Sequence, residues 1–325
     1  QESIEHEMNQ PTSTPILNRP GADDREDEKK GRAADSYKKA FWKALRAKSV
    51  PHEVYDALQV GTDSEGGYLV PDEFDRHLID ALNEENIFRK LAHVIQTASG
   101  DRKIPIVTSK GDAVWMDEEE QYTLSDDTFG QASLSAYKLG TAIKISEELL
   151  SDSVFDLPSY IAREFARRIG AKEEEAFFIG NGTGKSTGIF NATGGAQDGA
   201  TTAGASITFD DVMELFYSLR SPYRKKAVWV LNDSTVKTLR KLKDGNGNYI
   251  WQPSVTAGVP DTILNRPYKT SSYVPEIGAG KKCMAFGDFS YYWIADRSGR
   301  TFKRLNELFA MTGQVGFLAM ERLDG

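Results

Sequence analysis

The chain has 325 residues, a formal net charge of −8 and one cysteine. That length supports two or three packed units, and the acidic balance argues against a free-standing nucleic-acid binder while suiting a protein that must stay dispersed before it assembles. One cysteine excludes an internal disulfide framework and points to assembly in a reducing cytosol, no window approaches ~18 consecutive apolar residues, and no secretory leader is recognisable.

Residues 1 to about 36 read as disordered or extended. Pro11, Pro15 and Pro20 recur, and Gly21 to Lys30 is polar throughout, so too little apolar surface is present to offset ordering. The first residue is Gln1 rather than Met, which fits a trimmed or protease-released end. A basic stretch follows (Arg32, Lys38, Lys39, Lys43, Arg46, Lys48), interleaved with Tyr37, Phe41 and Trp42, and a short amphipathic helix fits Ser36 to Ala47. It reads either as a contact for DNA or an acidic neighbour, or as a solvated helix face with Phe41 and Trp42 docked on the body. The overall acidity favours the second.

Leu58 to Leu69 is turn-rich, and Pro71 opens a helix whose apolar stripe is Phe74, Leu78, Ala81 and Leu82. Strand-like runs follow at Val94–Thr97 and Lys103–Val107. The sequence is polar from Thr108 to Ala132 and resumes alternation from Ser133 to Ile145. Two arms of about ten extended residues would reach roughly 33 Å at ~3.3 Å per residue. Such a ribbon is marginal in water unless it lies on something, and another subunit is the natural support. After Asp156, Leu157, Ile161, Phe165 and Ile169 make a stripe at spacing four; Arg163, Arg167, Arg168 and Lys172 load other faces. Glu173, Glu174 and Glu175 come next, and Gly180 and Gly182 stop the helix.

From Ile207 to about Ile294 a mixed α/β unit is expected. Thr208 with Asp211 forms a capping-box variant, and Val212, Leu215, Phe216 and Leu219 line the helix behind it. Ala227–Leu231 reads as a buried strand. Asp233 caps a helix to Leu242, and Asp244 to Gly247 turns the chain. Cys283, in an apolar run, reads as a small buried hydrophobe. The last thirty residues alternate, as in Phe302, Arg304, Val315 and Phe317, and suggest strands that close onto a central sheet.

Several motifs invite chemistry and fail on spacing. Gly184-Lys185-Ser186 lacks the first glycine of a phosphate loop, because Ile179 stands there, and its glycines follow a helix instead of opening one. Asp244, Asn246 and Asn248 resemble a calcium loop, but Tyr249 and Val255 replace the required glycine and glutamate. The run Asp117 to Glu120, with Asp126 and Asp127, reads as a solvated or intersubunit face, since consecutive acids in a ribbon alternate sides and mostly meet water. His6, His52, His77 and His93 are not at metal-ligand spacing, and no Gly-x-Ser-x-Gly elbow occurs. No catalytic, cofactor or metal residue is therefore assigned.

The order of six pieces carries more than any one of them. They are Gly66-Gly67-Tyr68-Leu69-Val70-Pro71, Trp115 before the acidic hairpin, Ser146-Glu147-Glu148-Leu149-Leu150, and Gly180-Asn181-Gly182-Thr183-Gly184. Then come Leu239 to Asp244 with Gly247-Asn248-Tyr249, and Glu321-Arg322-Leu323-Asp324-Gly325. In that order the chain from about Gly61 to Gly325 resembles the major capsid proteins of tailed double-stranded DNA phages, the Hong Kong 97-type family.

The resemblance implies an α+β fold with an N-terminal arm, an extended β-hairpin loop, a peripheral domain with a long spine helix, and an axial domain. Residues 1–60 would be the arm and the remnant of a scaffolding segment, and 108–132 the extended loop. Residues 61–107, 133–206 and 295–325 would form the peripheral domain, with the spine at Asp156–Ile179, and 207–294 the axial domain. Family members usually continue a little further, so a missing final strand is allowed for.

The function implied is structural and not enzymatic. Copies of the chain would form hexameric and pentameric capsomers of an icosahedral virion shell, assembled in the bacterial host cytoplasm around phage or prophage DNA held without sequence-specific binding. Implied partners are a portal, a maturation protease, the scaffolding segment and decoration proteins, with no cofactor and no membrane. An encapsulin-like compartment is the alternative, and a phosphate-loop enzyme a remote one. Some relatives weld their shells with Lys–Asn bonds assisted by a Glu; ungapped comparison places Tyr122, Gly313 and Met320 at those positions, so no such weld is expected. Cohesion should then be noncovalent, with Trp115, Asp117, Glu118, Glu119, Glu120, Asp126 and Asp127 lying across a neighbour's Arg163, Arg167, Arg168 and Lys172.

Overall fold

The computed structural model describes residues 31–46, 52–58, 68–97, 102–109, 128–151, 156–202, 206–251, 261–297, 299–305 and 307–325. Helix α1 (Asp35–Arg46) opens this set, followed by α2 (His52–Leu58), the short strand β1 (Tyr68–Leu69), α3 (Asp72–Glu85) and α4 (Ile87–Leu91). Pro71 is the N-cap of α3 and not its first helical residue; its φ of −57° still presets the entry. Asn86 both ends α3 and caps α4, accepting a hydrogen bond from the Arg89 amide.

Strand β2 (His93–Thr97) leads to β3 (Arg102–Ser109) and β4 (Thr128–Leu134), which pair antiparallel from Arg102↔Leu134 to Ser109↔Thr128. The returning arm thus begins five residues earlier than the alternation at Ser133 suggested. Backbone pairing across the ribbon, unlike side-chain alternation, does not require one face to be apolar. These two strands form their own sheet and pair with no other strand among the described residues.

Strand β5 (Tyr137–Ser146) and the short α5 (Glu147–Ser151) precede the long helix α6 (Leu157–Ile179). Asp156 caps α6, and Leu157, Ile161, Phe165 and Ile169 are all buried, as spacing four requires. Helix α7 (Phe209–Ser218) starts with the full Thr208–Asp211 capping box, the aspartate replacing glutamate. The short α8 (Ser221–Arg224), β6 (Val228–Leu231) and α9 (Asp233–Arg240) follow. Asn232, not Asp233, caps α9: its side chain accepts from the Ser234 amide. The remaining strands are β7 (Thr262–Ile263), β8 (Arg266–Thr270), β9 (Met284–Gly287), β10 (Trp293–Arg297), β11 (Thr301–Leu305) and β12 (Gln314–Asp324).

Two larger sheets organise these elements. One runs β1–β11–β12–β10–β2 with β5 added along β12; the other runs β7–β8–β6–β9. Strand β12 is flanked on both sides, by β5 from Gln314 to Leu323 and by β11 and β10 opposite, so the C-terminal strand is central in its sheet. Helices α1, α3 and α6 cover the first sheet through an edge-to-face chain of rings, Trp42–Phe74–Phe302–Phe165, with centroids 4.8–5.7 Å apart. Phe41 and Trp42 thus dock α1 on the body, while Lys38 pairs with Glu73 and Arg32 with Asp72, which is the second of the two readings of that helix.

A second cluster gathers Phe88, Phe177, Phe178, Ile294 and Leu323, and a third packs Trp229 on Phe286 at 4.2 Å. No described helix is long and apolar enough to cross a membrane.

Candidate functional site

The exposed face of α6 carries the cations singled out from sequence, and the helix itself partly answers them. Glu164 receives Arg167 at 2.8 Å and Arg168 at 2.7 Å, one turn away on the same face. The Arg167 bond, with Arg168 beside it, holds the Glu164 carboxyl below its usual range. Lys172 reaches Glu175 at 2.6 Å, and Arg168 also donates to the Ala142 carbonyl of β5 at 3.0 Å, which ties the helix to the sheet. Arg163 is exposed and forms no ion pair among the described residues. Arg163, Arg167, Arg168 and Lys172 are all exposed on this helix. Trp115, Asp117, Glu118, Glu119, Glu120, Asp126 and Asp127 lie outside the described residues.

Beneath that face is a buried charge network that sequence reading passed over. Arg89 on α4 donates from Nε and Nη2 to both Glu173 oxygens, at 2.7 and 2.9 Å, and from Nη1 and Nη2 to both Asp296 oxygens at 2.8 Å. Arg300, between β10 and β11, donates to Glu321 at 2.8 Å, to Asp75 at 3.0 Å and more weakly to Asp296 at 3.4 Å. Burial opposes the charge on Arg89, but Glu173 and Asp296 outweigh it and hold the guanidinium firmly protonated.

Glu321 is the strained member. Burial, and then the neighbouring Glu173, push its carboxyl well above the usual range, against the pull of Arg300 and Arg89. Its Oε1 has no hydrogen-bond partner among the described residues, and the raised carboxyl favours the protonated form there. The network joins α3, α4, α6, β10 and β12. Two buried arginines against carboxylates from four elements fix the geometry of these elements relative to one another.

A signal for these groups was present in the sequence. Glu173 continues the spacing-four series Leu157, Ile161, Phe165, Ile169, and Phe177 resumes it. Glu321 continues the alternating series Val315, Phe317, Ala319, and Leu323 resumes it. An acid inside an apolar stripe is an acid facing the core.

The glycine-rich turn after α6 is a helix terminus and not a phosphate cradle. The amides of Gly188, Ile189 and Phe190 donate to the carbonyls of Gly180, Phe177 and Phe178, each at 2.9 Å, satisfying groups the helix end leaves open. A side chain at Gly180 would sit 2.1 Å from the Ser186 carbonyl oxygen. Gly180 itself is extended, so the helix ends there without a left-handed residue; the first positive φ is at Gly182. The Asp244 turn is likewise closed on itself, its carboxylate accepting from the Asn246 and Asn248 amides.

A cavity of about 680 Å³ opens between the segment 187–202, α7 and β9. Each carboxylate lining it already has structural work. Asp198 pairs with Lys282, Asp211 closes the α7 cap, and Asp288 accepts from Ser290. Cys283 is half-buried there, and burial raises its thiol, so it is not a poised nucleophile. Among the described residues no cluster of three His, Cys, Asp or Glu side chains is placed to hold a metal.

A mixed fold with a pairing ribbon and a long capped helix packed on a six-stranded sheet is the Hong Kong 97-type architecture of capsid proteins. It aligns with the capsid of a native GTA particle at TM-score 0.61 and 27% identity, over 73% of this chain and 84% of that one. It also matches the fold of Mycobacterium phage Adephagia at TM-score 0.54 and 15% identity, over 73% of this chain and 82% of that one.

The model of the phage capsid family matches residues 66–325, and the chain belongs to that family. A major capsid protein of Klebsiella oxytoca phage phiKO2 is 24% identical over 237 residues, 69% of this chain and 54% of that protein. The major capsid protein of Halomonas phage phiHAP-1 is 26% identical over 123 residues, 37% of this chain and 20% of that one. The chain thus spans about half the length of the first of these relatives and a fifth of the second.

Proposed function

We propose that this chain is the tile of an icosahedral phage or prophage shell, assembling through hexameric and pentameric capsomers around packaged double-stranded DNA. The observation that carries the reading is the family match over residues 66–325, joined to a fold likeness covering 84% of the GTA capsid chain. Its role is mechanical and not catalytic, with the virion capsid as its location and the host cytoplasm as its place of assembly.

In this reading the sheet centred on β12, braced by α6 and the buried arginines, is the rigid plate of the peripheral domain. The unit built on β6, α7 and α9 is the axial domain at the capsomer centre, and residues 1–60 are the arm. The β3–β4 ribbon continues into the acidic loop, which lies across the α6 face of a neighbouring copy at Arg163, Arg167, Arg168 and Lys172. Exposed pairs contribute only ~0–1 kcal/mol each, so repetition around the shell supplies the cohesion. Portal, maturation protease, scaffolding segment and decoration proteins are the further partners.

Negative-stain electron microscopy of the concentrated protein, with light scattering, tests the proposal. Closed shells or isolated five- and six-fold rings containing this chain are expected. A particle that is monomeric or dimeric at every concentration, also when co-produced with its scaffold and protease, overturns it.

A further inference from the structure

We propose that the turn joining α7 to β6 is a contact site for the phosphate backbone of duplex DNA, which rests on the shell reading above and gives the shell wall a place to meet its contents. Arg220, Arg224, Lys225 and Lys226 fall within seven residues, and no acid occurs between Glu214 and Asp233. Arg266, at the start of β8, joins them by donating from Nη1 to the Lys225 carbonyl at 2.9 Å. Arg220, Lys225 and Lys226 are exposed.

None of these five cations forms an ion pair among the described residues. Other cations do have carboxylate partners, among them Arg32 and Lys38 on the α1 side, Arg167, Arg168 and Lys172 on α6, and Arg240 and Lys282. A cluster of like charges on an acidic protein lacks internal compensation, and an external anion is what relieves it.

The side chains are also arranged for phosphate. The Arg224 guanidinium lies over Tyr217 and Phe216, 5.0 and 5.4 Å from their centroids, and its Nε donates to the Leu219 carbonyl. That fixes its plane and leaves the Nη edge for oxygens. Tyr223 packs edge-on against Tyr291 at 5.6 Å, and Tyr217 and Tyr291 are each about two-thirds exposed (65% and 67%), with phenol hydroxyls that serve phosphate as donors. Lys225 and Lys226 are flexible point charges that respond to charge density more than to partner shape. Duplex DNA, with one charge per ~1.7 Å of axis, has that density; a protein carboxylate surface seldom does. The contact is sequence-independent and salt-sensitive, and the net charge of −8 keeps it weak, as suits a wall that must release its contents.

The test uses the full chain as assembled capsomers or shells opened to solvent, and a 24-base-pair random duplex, with binding followed by fluorescence anisotropy across a salt series. Replacing Arg220, Lys225 and Lys226 with Gln should lower the slope of log affinity against log salt by about 3. The same change at Lys38, Lys39 and Lys43 of α1 should leave it nearly unaltered. If the triple variant folds poorly, Lys225→Gln with Lys226→Gln should lower the slope by about 2. Equal loss from the α1 variant, an unchanged slope, or no duplex binding by the parent overturns the proposal. So does a peptide of residues 115–128 that binds the turn where DNA does not, which would assign the turn to contact between copies. Shell formation, scored separately by microscopy, is expected to be normal in the variants; its failure in the parent would count against the shell reading instead.

Discussion

Arg89 and Glu173, 84 residues apart in the chain, meet through two parallel hydrogen bonds of 2.7 and 2.9 Å with both side chains out of water. The same guanidinium grips Asp296 through two more. One planar fork therefore locks α4, α6 and β10 together, and the consequences are measurable.

Arg89→Ala leaves Glu173 and Asp296 without their main donor in a dry interior. A loss of about 3–5 kcal/mol is expected from urea unfolding, the cost of an uncompensated buried charge. Arg89→Lys should rescue little, because an ammonium cannot serve two carboxylates bidentately. Lys38→Ala, which removes an exposed pair with Glu73, should cost no more than ~1 kcal/mol.

The raised carboxyl of Glu321 sets a pH dependence with a definite sign. Below the ordinary carboxylate range the group is protonated folded or unfolded and costs nothing. As pH rises through that range toward the raised folded value, the unfolded chain releases a proton that the folded chain keeps. Stability should fall over that window, by up to ~1.4 kcal/mol per pH unit for one group. Glu321→Gln keeps the shape and the hydrogen bond without the proton. Thermal melting from pH 4 to 9 should give a flatter curve for the variant and a higher midpoint at the alkaline end; an unchanged slope would mean the proton is not held there.

At the end of α6 two neighbouring substitutions should separate sharply. Gly180→Ala drives a methyl into the Ser186 and Ala176 carbonyl oxygens, 2.1 and 2.4 Å away, and should abolish soluble folded protein or lower its melting temperature by many degrees. Lys185→Ala, on the exposed turn, should be neutral, and equilibrium dialysis with ATP should show no binding before or after the change. Nucleotide binding lost with Lys185 would revive the phosphate-loop reading.

Reversing charge on α6 tests the contact between copies. Arg163→Glu with Arg167→Glu should impair shell assembly while leaving the circular dichroism and melting of the subunit close to the parent. Arg168 is a poorer choice because it also holds the Ala142 carbonyl. Normal assembly of the double variant would remove this face from the interface.

Mature shells should dissociate to single chains on a denaturing gel, since Tyr122, Gly313 and Met320 stand where some relatives carry the welding lysine, asparagine and glutamate. A ladder of covalent multimers would contradict this.

The sequence by itself determined several of the main elements and the faces they bury. Spacing four on α6 and spacing two on β12 are properties of backbone geometry, and they predicted the burial of Leu157, Ile161, Phe165, Ile169, Val315 and Phe317. The Thr208–Asp211 box is local in the same way, its partners being three residues apart. The same periodicities place Glu173 and Glu321 on the core side.

Which groups meet there was decided only by the tertiary structure. Arg89 reaches Glu173 across 84 residues and Asp296 across 207, and Arg300 reaches Asp75 across 225; pairing at that distance depends on strand order and register, which no local pattern encodes. The α7–β6 turn shows the same division. Its charge is plain in the sequence, but only packing shows that Lys38, Arg167 and Lys282 are answered by carboxylates while, among the described residues, the cations of this turn are not.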